Sequence, residues 1–155
     1  MFYDKTILGD IMNRNNIICK LNKNDLYQLK QLLDNSFAYN ISLSEMESLY
    51  FNIINDSNTY IFGYFINDKL VGTLTLKILF LIHGKDAMIW DLTVMQEYRQ
   101  LGIATKLMIY AEKIVKDEKI KRIWLFSGLH RENAHKLYKK LGYNENRDKA
   151  FFKEI

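Results

Sequence analysis

The chain has no proline, one cysteine and seven glycines in its 155 residues. With no proline, no low-complexity block and no internal repeat, nothing marks an interdomain linker. The lone Cys19 excludes an intramolecular disulfide framework and fits a reducing compartment. Its neighbours Ile17, Ile18 and Leu21 make it a strand thiol of the core rather than a nucleophile. No apolar run approaches the ~20 residues a membrane-spanning helix needs; the longest, Ile78 to Ile82, has the length of a buried strand. Asp4 and Asp10 interrupt the apolar residues at the start of the chain, which therefore does not read as a signal peptide, and a cytoplasmic location is expected. A dense block of one charge is also missing. The net charge of +4 is spread over dispersed lysines, which argues against a nucleic-acid-binding arm and for a solvated basic surface that also favours an anionic ligand.

What is present is a globular composition, 48% hydrophobic and 14% aromatic, in a length that suits a single domain with a full core, residues 1–155. Met1 to Asn15 have no clear period and read as a short extension. Asn16 to Leu21 is a predicted strand. Leu26, Leu29, Leu33 and Phe37 recur at helical spacing, and Ser44-x-x-Glu47 is a capping-box candidate for a second helix bearing Met46, Leu49, Tyr50 and Ile53. Thr59 to Ile66 and Leu70 to Ile82 form a predicted hairpin around Asn67-Asp68-Lys69, and Ala87 to Val94 is the next meander strand. A helix from about Gly102 buries Ile103, Leu107, Ala111 and Ile114. Arg122 to Phe126 is a strand, and a helix over about Arg131 to Leu141 ends with Gly142 at its C′ position. Tyr143 and Phe151-Phe152-Lys153 suggest one or two closing strands. The resulting order is a mixed α/β sandwich, not a doubly wound parallel pattern.

The most informative stretch is Ile89 to Met108, where a strand passes through a glycine turn into a helix. Arg99-Gln100-Leu101-Gly102-Ile103-Ala104 gives Arg-x-x-Gly-x-Ala at that junction. First-turn N–H groups lack intrahelical partners there and the positive end of the helix dipole gathers. Gly102 and Ala104 carry almost no side chain, so a phosphate can approach the backbone. An ordinary strand–helix connection is the plainer reading of this stretch alone.

The run Val94-x-x-x-Tyr98-Arg99-x-x-Gly102-x-Ala104 resembles the acetyl-CoA pyrophosphate loop of the GCN5-related N-acetyltransferase (GNAT) superfamily. One strand further on, Arg131-Glu132-Asn133-Ala134-His135-Lys136-Leu137-Tyr138-Lys139-Lys140-Leu141-Gly142-Tyr143 resembles that family's second cofactor segment, Ala-x-x-x-Tyr-x-x-x-Gly-(Phe/Tyr). The resemblance implies a mostly antiparallel central sheet of six to seven strands flanked by about four helices, with acetyl-CoA as cosubstrate. It implies that the backbone of Leu92, Thr93 and Val94 pairs with pantetheine. It implies further that Arg99, Gln100, Leu101, Gly102, Ile103, Ala104 and Thr105 surround the pyrophosphate, and that Arg131, Ala134 and Tyr138 line the cofactor from the second segment. Arg131 stands where many members have asparagine, and Asn133 is two positions late for that role. Arg131-x-x-Ala134-His135-x-x-Tyr138 is instead similar to a subgroup that includes aminoalkylphosphonate N-acetyltransferases.

Amide formation from a thioester needs a neutral amine, a polarised carbonyl and a proton for the departing thiolate. By the resemblance Tyr138 is the general acid; as an amphipathic tyrosine it also suits anchoring its helix to the core. By the same resemblance Asp91 is the candidate to take the amine proton, directly or through water, or to hold a cationic acceptor; a satisfied structural aspartate is the alternative. Histidine is a common acid–base residue, but His130 reads as a loop residue and His135 as packing beside the cofactor. No Cys/His cluster has metal-ligand spacing, so no metal is expected. Tyr39, Glu45, Tyr50 and Phe51 are candidate acceptor-lining residues, with Asp34 and Glu47 adding negative charge suited to a cation. The expected function is an acetyl-CoA-dependent N-acetyltransferase acting on the primary amine of a small molecule. It would act by direct attack in a ternary complex, with neither nucleic acid nor membrane as partner. A homodimer, a non-catalytic acyl-CoA-binding regulatory module and a protein-amine acetyltransferase stay open.

Overall fold

The computed structural model describes residues 13–37, 39–147, 150, 151 and 153. By compactness it divides into two units, Met1–Trp124 and Leu125–Ile155. The elements in chain order are β1 (Ile17–Lys20), α1 (Leu26–Phe37), α2 (Leu43–Ile54), β2 (Thr59–Ile66), β3 (Lys69–Leu81), β4 (Gly84–Val94), α3 (Ile103–Asp117), β5 (Ile123–Leu125) and α4 (Glu132–Lys140). The sheet is arranged in sequence order, β1 to β5, and the pairs β1–β2, β2–β3 and β3–β4 are antiparallel. Most of the extension predicted over Met1 to Asn15 lies outside the described residues. Among those that are described, no helix is long and apolar enough to cross a membrane.

The β2–β3 hairpin turns on Asn67 and Asp68, whose φ values of 48 and 61° are the left-handed pair a two-residue type I′ turn demands. Adjacent strand residues point to opposite faces, and β2 uses both. Ile61 and Phe65 join Leu26, Leu29, Leu32 and Leu33 of α1 and Met46 and Tyr50 of α2 in one cluster. Phe62, one position on, meets Tyr110 of α3 edge to face at 5.1 Å between centroids. The sheet therefore carries α1 and α2 on one side and α3 on the other. Gly72 lets α3 come close, since a Cβ there would lie 3.0 Å from Ile103 Cγ2.

Two expectations need correction. The capping box of α2 is Ser42 with Glu45, not Ser44 with Glu47: Ser42 is extended (φ −68, ψ 160°), accepts from Glu45 N–H, and has its own N–H bound by the Glu45 carboxylate. The residues around it favour this box, because Ile41 before the cap packs against the cluster that holds Met46, the two positions a hydrophobic staple uses. Among the described residues the sheet also has five strands, not six to seven. Tyr143, Phe151 and Lys153 lie in no strand, and Phe152 is outside the described residues. After Gly142 the chain enters a turn in which Asn146 N–H donates to the Asn144 side chain at 2.8 Å, a local bond that competes with a ladder.

Ser42→Ala is expected to lower stability by about 1 kcal/mol, read as a lower denaturant midpoint at unchanged slope, with Ser44→Ala close to neutral. Equal losses for the two would place the cap wrongly.

Candidate active site

Within Met1–Trp124, the register of β4 against β3 runs Thr73↔Thr93 and then Thr75↔Trp90. Leu74 alone thus faces both Asp91 and Leu92, which is a β-bulge. Asp91 takes the extra position at φ 52°, a conformation aspartate tolerates better than most residues. Its carboxylate accepts from Thr75 Oγ1 at 3.1 Å and from Tyr39 Oη at 3.1 Å. Among the described residues no lysine, arginine or histidine forms an ion pair with it. The bulge escapes a strand reading built on strict alternation, yet it leaves a trace in the sequence. The alternation of Ala87 and Ile89 resumes at Leu92 and Val94, one residue out of phase. Thr75 leaves no trace, because its contact with Asp91 is a long-range one.

Beyond the bulge, Thr93 Oγ1 donates to Ser36 Oγ of α1 at 2.8 Å, while Leu92 is half-buried and Val94 buried. Met95 N–H donates to Val71 C=O at 2.8 Å, and a 3₁₀ turn over Gln96–Tyr98 leads into the loop. Arg99 Nε donates to the Val94 carbonyl at 3.1 Å, bracing the strand end against the loop. Gln100 (φ 63°) and Gly102 (φ 75°) are both left-handed. The α3 ladder begins at Lys106 N–H to Gly102 C=O, so the N–H groups of Ile103, Ala104 and Thr105 lie ahead of it without intrahelical acceptors. Gly102 is the N-cap, and the first turn holds no acidic residue. A Cβ built on Gly102 would meet nothing within 4 Å. An open backbone, an uncapped helix start and no carboxylate fit a pyrophosphate.

In Leu125–Ile155, α4 carries Ala134 and Tyr138, with Arg131 at its N-cap. Its end is a Schellman motif: Tyr143 N–H donates to Tyr138 C=O and Gly142 N–H to Lys139 C=O, each at 3.0 Å, with Gly142 at φ 88°. The Tyr138 and Tyr143 rings lie 6.1 Å apart, the apolar contact that accompanies this motif. The spacing Tyr-x-x-x-Gly-Tyr therefore has a helix-capping explanation as well as a chemical one. Burial pushes the Tyr138 phenol above its ordinary value, and the opposing charge of Arg131 does not cancel the rise.

The candidate acceptor residues do not converge equally. Tyr39 meets Asp91 and stacks on Phe37 at 5.1 Å. Glu45 is engaged in the α2 cap, and the Ser42 contacts hold its carboxyl below the usual range. Tyr50 is buried and donates to the Leu21 carbonyl at 3.0 Å. Tyr50, exposed Phe51 and Glu47 line a recess of about 100 Å³ with Lys23, Leu26 and Ile54. Cys19 stands in β1 opposite Gly63, and burial pushes its thiol up, away from a reactive thiolate.

The profile of the acetyltransferase (GNAT) family matches residues 26–143, and the chain belongs to that family. Acetyl-CoA is the cosubstrate of its members, and solved relatives carry it or a CoA analogue. The chain is similar to an aminoglycoside acetyltransferase from an uncultured soil metagenomic sample, solved in complex with trehalose. That likeness has 25% identity and a TM-score of 0.78, covering 90% of this chain and 95% of that one. It is similar in fold to AAC(6')-Iy in complex with the bisubstrate analogue CoA-S-monomethyl-acetylneamine, at 14% identity and TM-score 0.77, covering 90% and 97%. An acetyltransferase of Clostridium acetobutylicum with acetyl-CoA shares the fold at 17% identity and TM-score 0.71, covering 88% and 95%. A comparison with curated proteins finds no match.

If the loop holds the pyrophosphate, Gly102→Glu raises the KM for acetyl-CoA on the order of tenfold or more, the scale of losing a charged-group hydrogen bond. Gly102→Ala shares the left-handed strain but not the charge and should raise it much less. Equal cofactor affinity in folded wild type and Gly102→Glu would remove the loop from the site.

Proposed function

We propose that the chain transfers acetyl from acetyl-CoA to the primary amine of a small molecule, by direct attack in a ternary complex. The observation that carries this reading is the Asp91 carboxylate, fixed by a bulge in the strand that runs into the anion-ready loop and left without a cationic partner among the described residues. A carboxylate so held suits an acceptor that arrives as an ammonium ion. The aminoglycoside complexes among the structural relatives support an amine-bearing small molecule as the class. The likeness of the second segment to aminoalkylphosphonate acetyltransferases rests on Arg131, Ala134, His135 and Tyr138 alone.

When bound, acetyl-CoA supplies a thioester carbonyl and a thiolate leaving group. The main-chain N–H groups at Gly102 to Thr105 hold its pyrophosphate, and the backbone of Leu92 to Val94 aligns its pantetheine arm. Asp91 takes the proton the acceptor ammonium must lose, directly or through water, which frees the nitrogen lone pair for attack. Tyr138, whose phenol burial holds above its ordinary value, gives its proton to the departing sulfur, and the second proton that the nitrogen sheds as the amide forms restores the phenol. The half-buried thiol of Cys19 takes no part.

Initial rates measured over both substrates test this reading. Wild type should give intersecting lines, and Tyr138→Phe should lower kcat and kcat/KM together by ~10²-fold with acetyl-CoA binding retained. Parallel lines with a trapped acetyl-Cys19 would defeat direct transfer. A Tyr138→Phe enzyme at nearly the wild-type rate would leave Tyr138 only its role in ending α4.

A further inference from the structure

Asp91 sits at the strained position of a β-bulge, with φ 52°. Left-handed non-glycine residues inside strands persist when surrounding contacts over-determine them, and here those contacts are visible. Thr75 reaches the carboxylate from β3 and Tyr39 from the segment after α1, one on each oxygen. Both are neutral hydroxyls, and on an ionised carboxylate they can only donate. We propose that Thr75 and Tyr39 are positioning residues that fix the Asp91 carboxylate toward the acceptor while leaving its charge uncompensated. This rests on the reading of Asp91 as the proton acceptor and extends it to residues outside the cofactor segments.

The choice of hydroxyls matters. A lysine or arginine at either place would fix the oxygen equally well, but it would cancel the charge an incoming ammonium needs and hold the carboxylate in competition with it. A hydroxyl stabilises the anion and leaves each oxygen a further lone pair for the acceptor N–H. The chain uses the other solution where an acid is structural. Asp25 is tied to Arg14 at 2.6 Å, Asp86 to Arg122 at 2.9 Å, and Asp56 pairs with Lys77. Asp91 is a half-buried carboxylate that receives hydroxyls instead. The two donors also join separate parts of the first unit, since Thr75 is paired in the sheet with Trp90 while Tyr39 stacks on Phe37 at the end of α1. Closing both hydrogen bonds therefore sets the α1–α2 link against the strand that carries Asp91.

The test is kinetic and uses the full chain. Thr75→Val keeps the shape and removes the donor, Thr75→Ser restores it, and Tyr39→Phe removes the other donor at an exposed position where folding is not at risk. Each of Thr75→Val and Tyr39→Phe should lower kcat/KM for the amine roughly tenfold, the scale of one hydrogen bond to a charged group, with the KM for acetyl-CoA unchanged. Thr75→Ser should recover most of the loss. In an Asp91→Asn background Thr75→Val and Tyr39→Phe should add almost nothing, because a residue that acts through Asp91 has no further effect once Asp91 is gone. Losses of the same size in both backgrounds, or a rise confined to the KM for acetyl-CoA, would overturn the positioning role. Failure of the wild-type chain to release thiol with any amine would instead overturn the acetyl-transfer reading, and this inference with it.

Discussion

Antiparallel pairing of β4 with β3 runs from Leu81↔Gly84 to Gly72↔Val94 and slips once, between Thr73 and Thr75. That slip governs the course of the chain from Asp91 to the start of α3. It lifts Asp91 out of the regular pleat, and by adding one residue it sets the phase in which Thr93 and Val94 return to the ladder, both buried. From Val94 the chain has only the short Gln96–Tyr98 turn in which to reverse, and the Arg99–Val94 hydrogen bond holds that reversal closed. The N-terminus of α3 is then carried by a helix whose apolar face, Ile103, Leu107, Met108, Ala111 and Val115, is anchored in the core. A helix anchored in this way presents its open first turn at a fixed place, the feature that an anion site needs.

Much of this is legible in the sequence because it is local. Asn67-Asp68 specifies its own turn through side chains that tolerate positive φ. The stripe Leu26, Leu29 and Leu33 defines the buried face of α1, and Arg99-x-x-Gly102-x-Ala104 announces a helix start with an open backbone. Where two local solutions compete, the outcome depends on packing. Ser42 and Ser44 each offer a capping box, and the packing of Ile41 against the cluster that holds Met46 favours the first. The aromatic residues after Gly142 suggest closing strands, but aromatic content does not make a ladder against the side-chain bond of Asn144. Least legible are the partners of Asp91. Tyr39 and Thr75 are 52 and 16 positions away, and no spacing rule connects residues that only the sheet and the α1–α2 link bring together.

In the proposed function labour is divided between backbone and side chains. Main-chain groups at the β4 end and the α3 start would grip an anionic, extended cosubstrate. On the proposed reading proton handling would fall to two side chains of different character, a carboxylate with no cationic partner among the described residues and a half-buried phenol. Tyr138 has a structural explanation beside the proposed chemical one, since its ring contact with Tyr143 belongs to the motif that ends α4.

Acetyl transfer to a small cationic amine is tested most directly by a screen of primary amines of graded size and charge with acetyl-CoA. Free thiol is monitored and the N-acetylated product identified by mass. Turnover is predicted with at least one cationic small-molecule amine, with thiol and amide formed in equal amounts. Tight acetyl-CoA binding with no amide formed from any amine would contradict it and leave an acyl-CoA-binding protein without transferase activity.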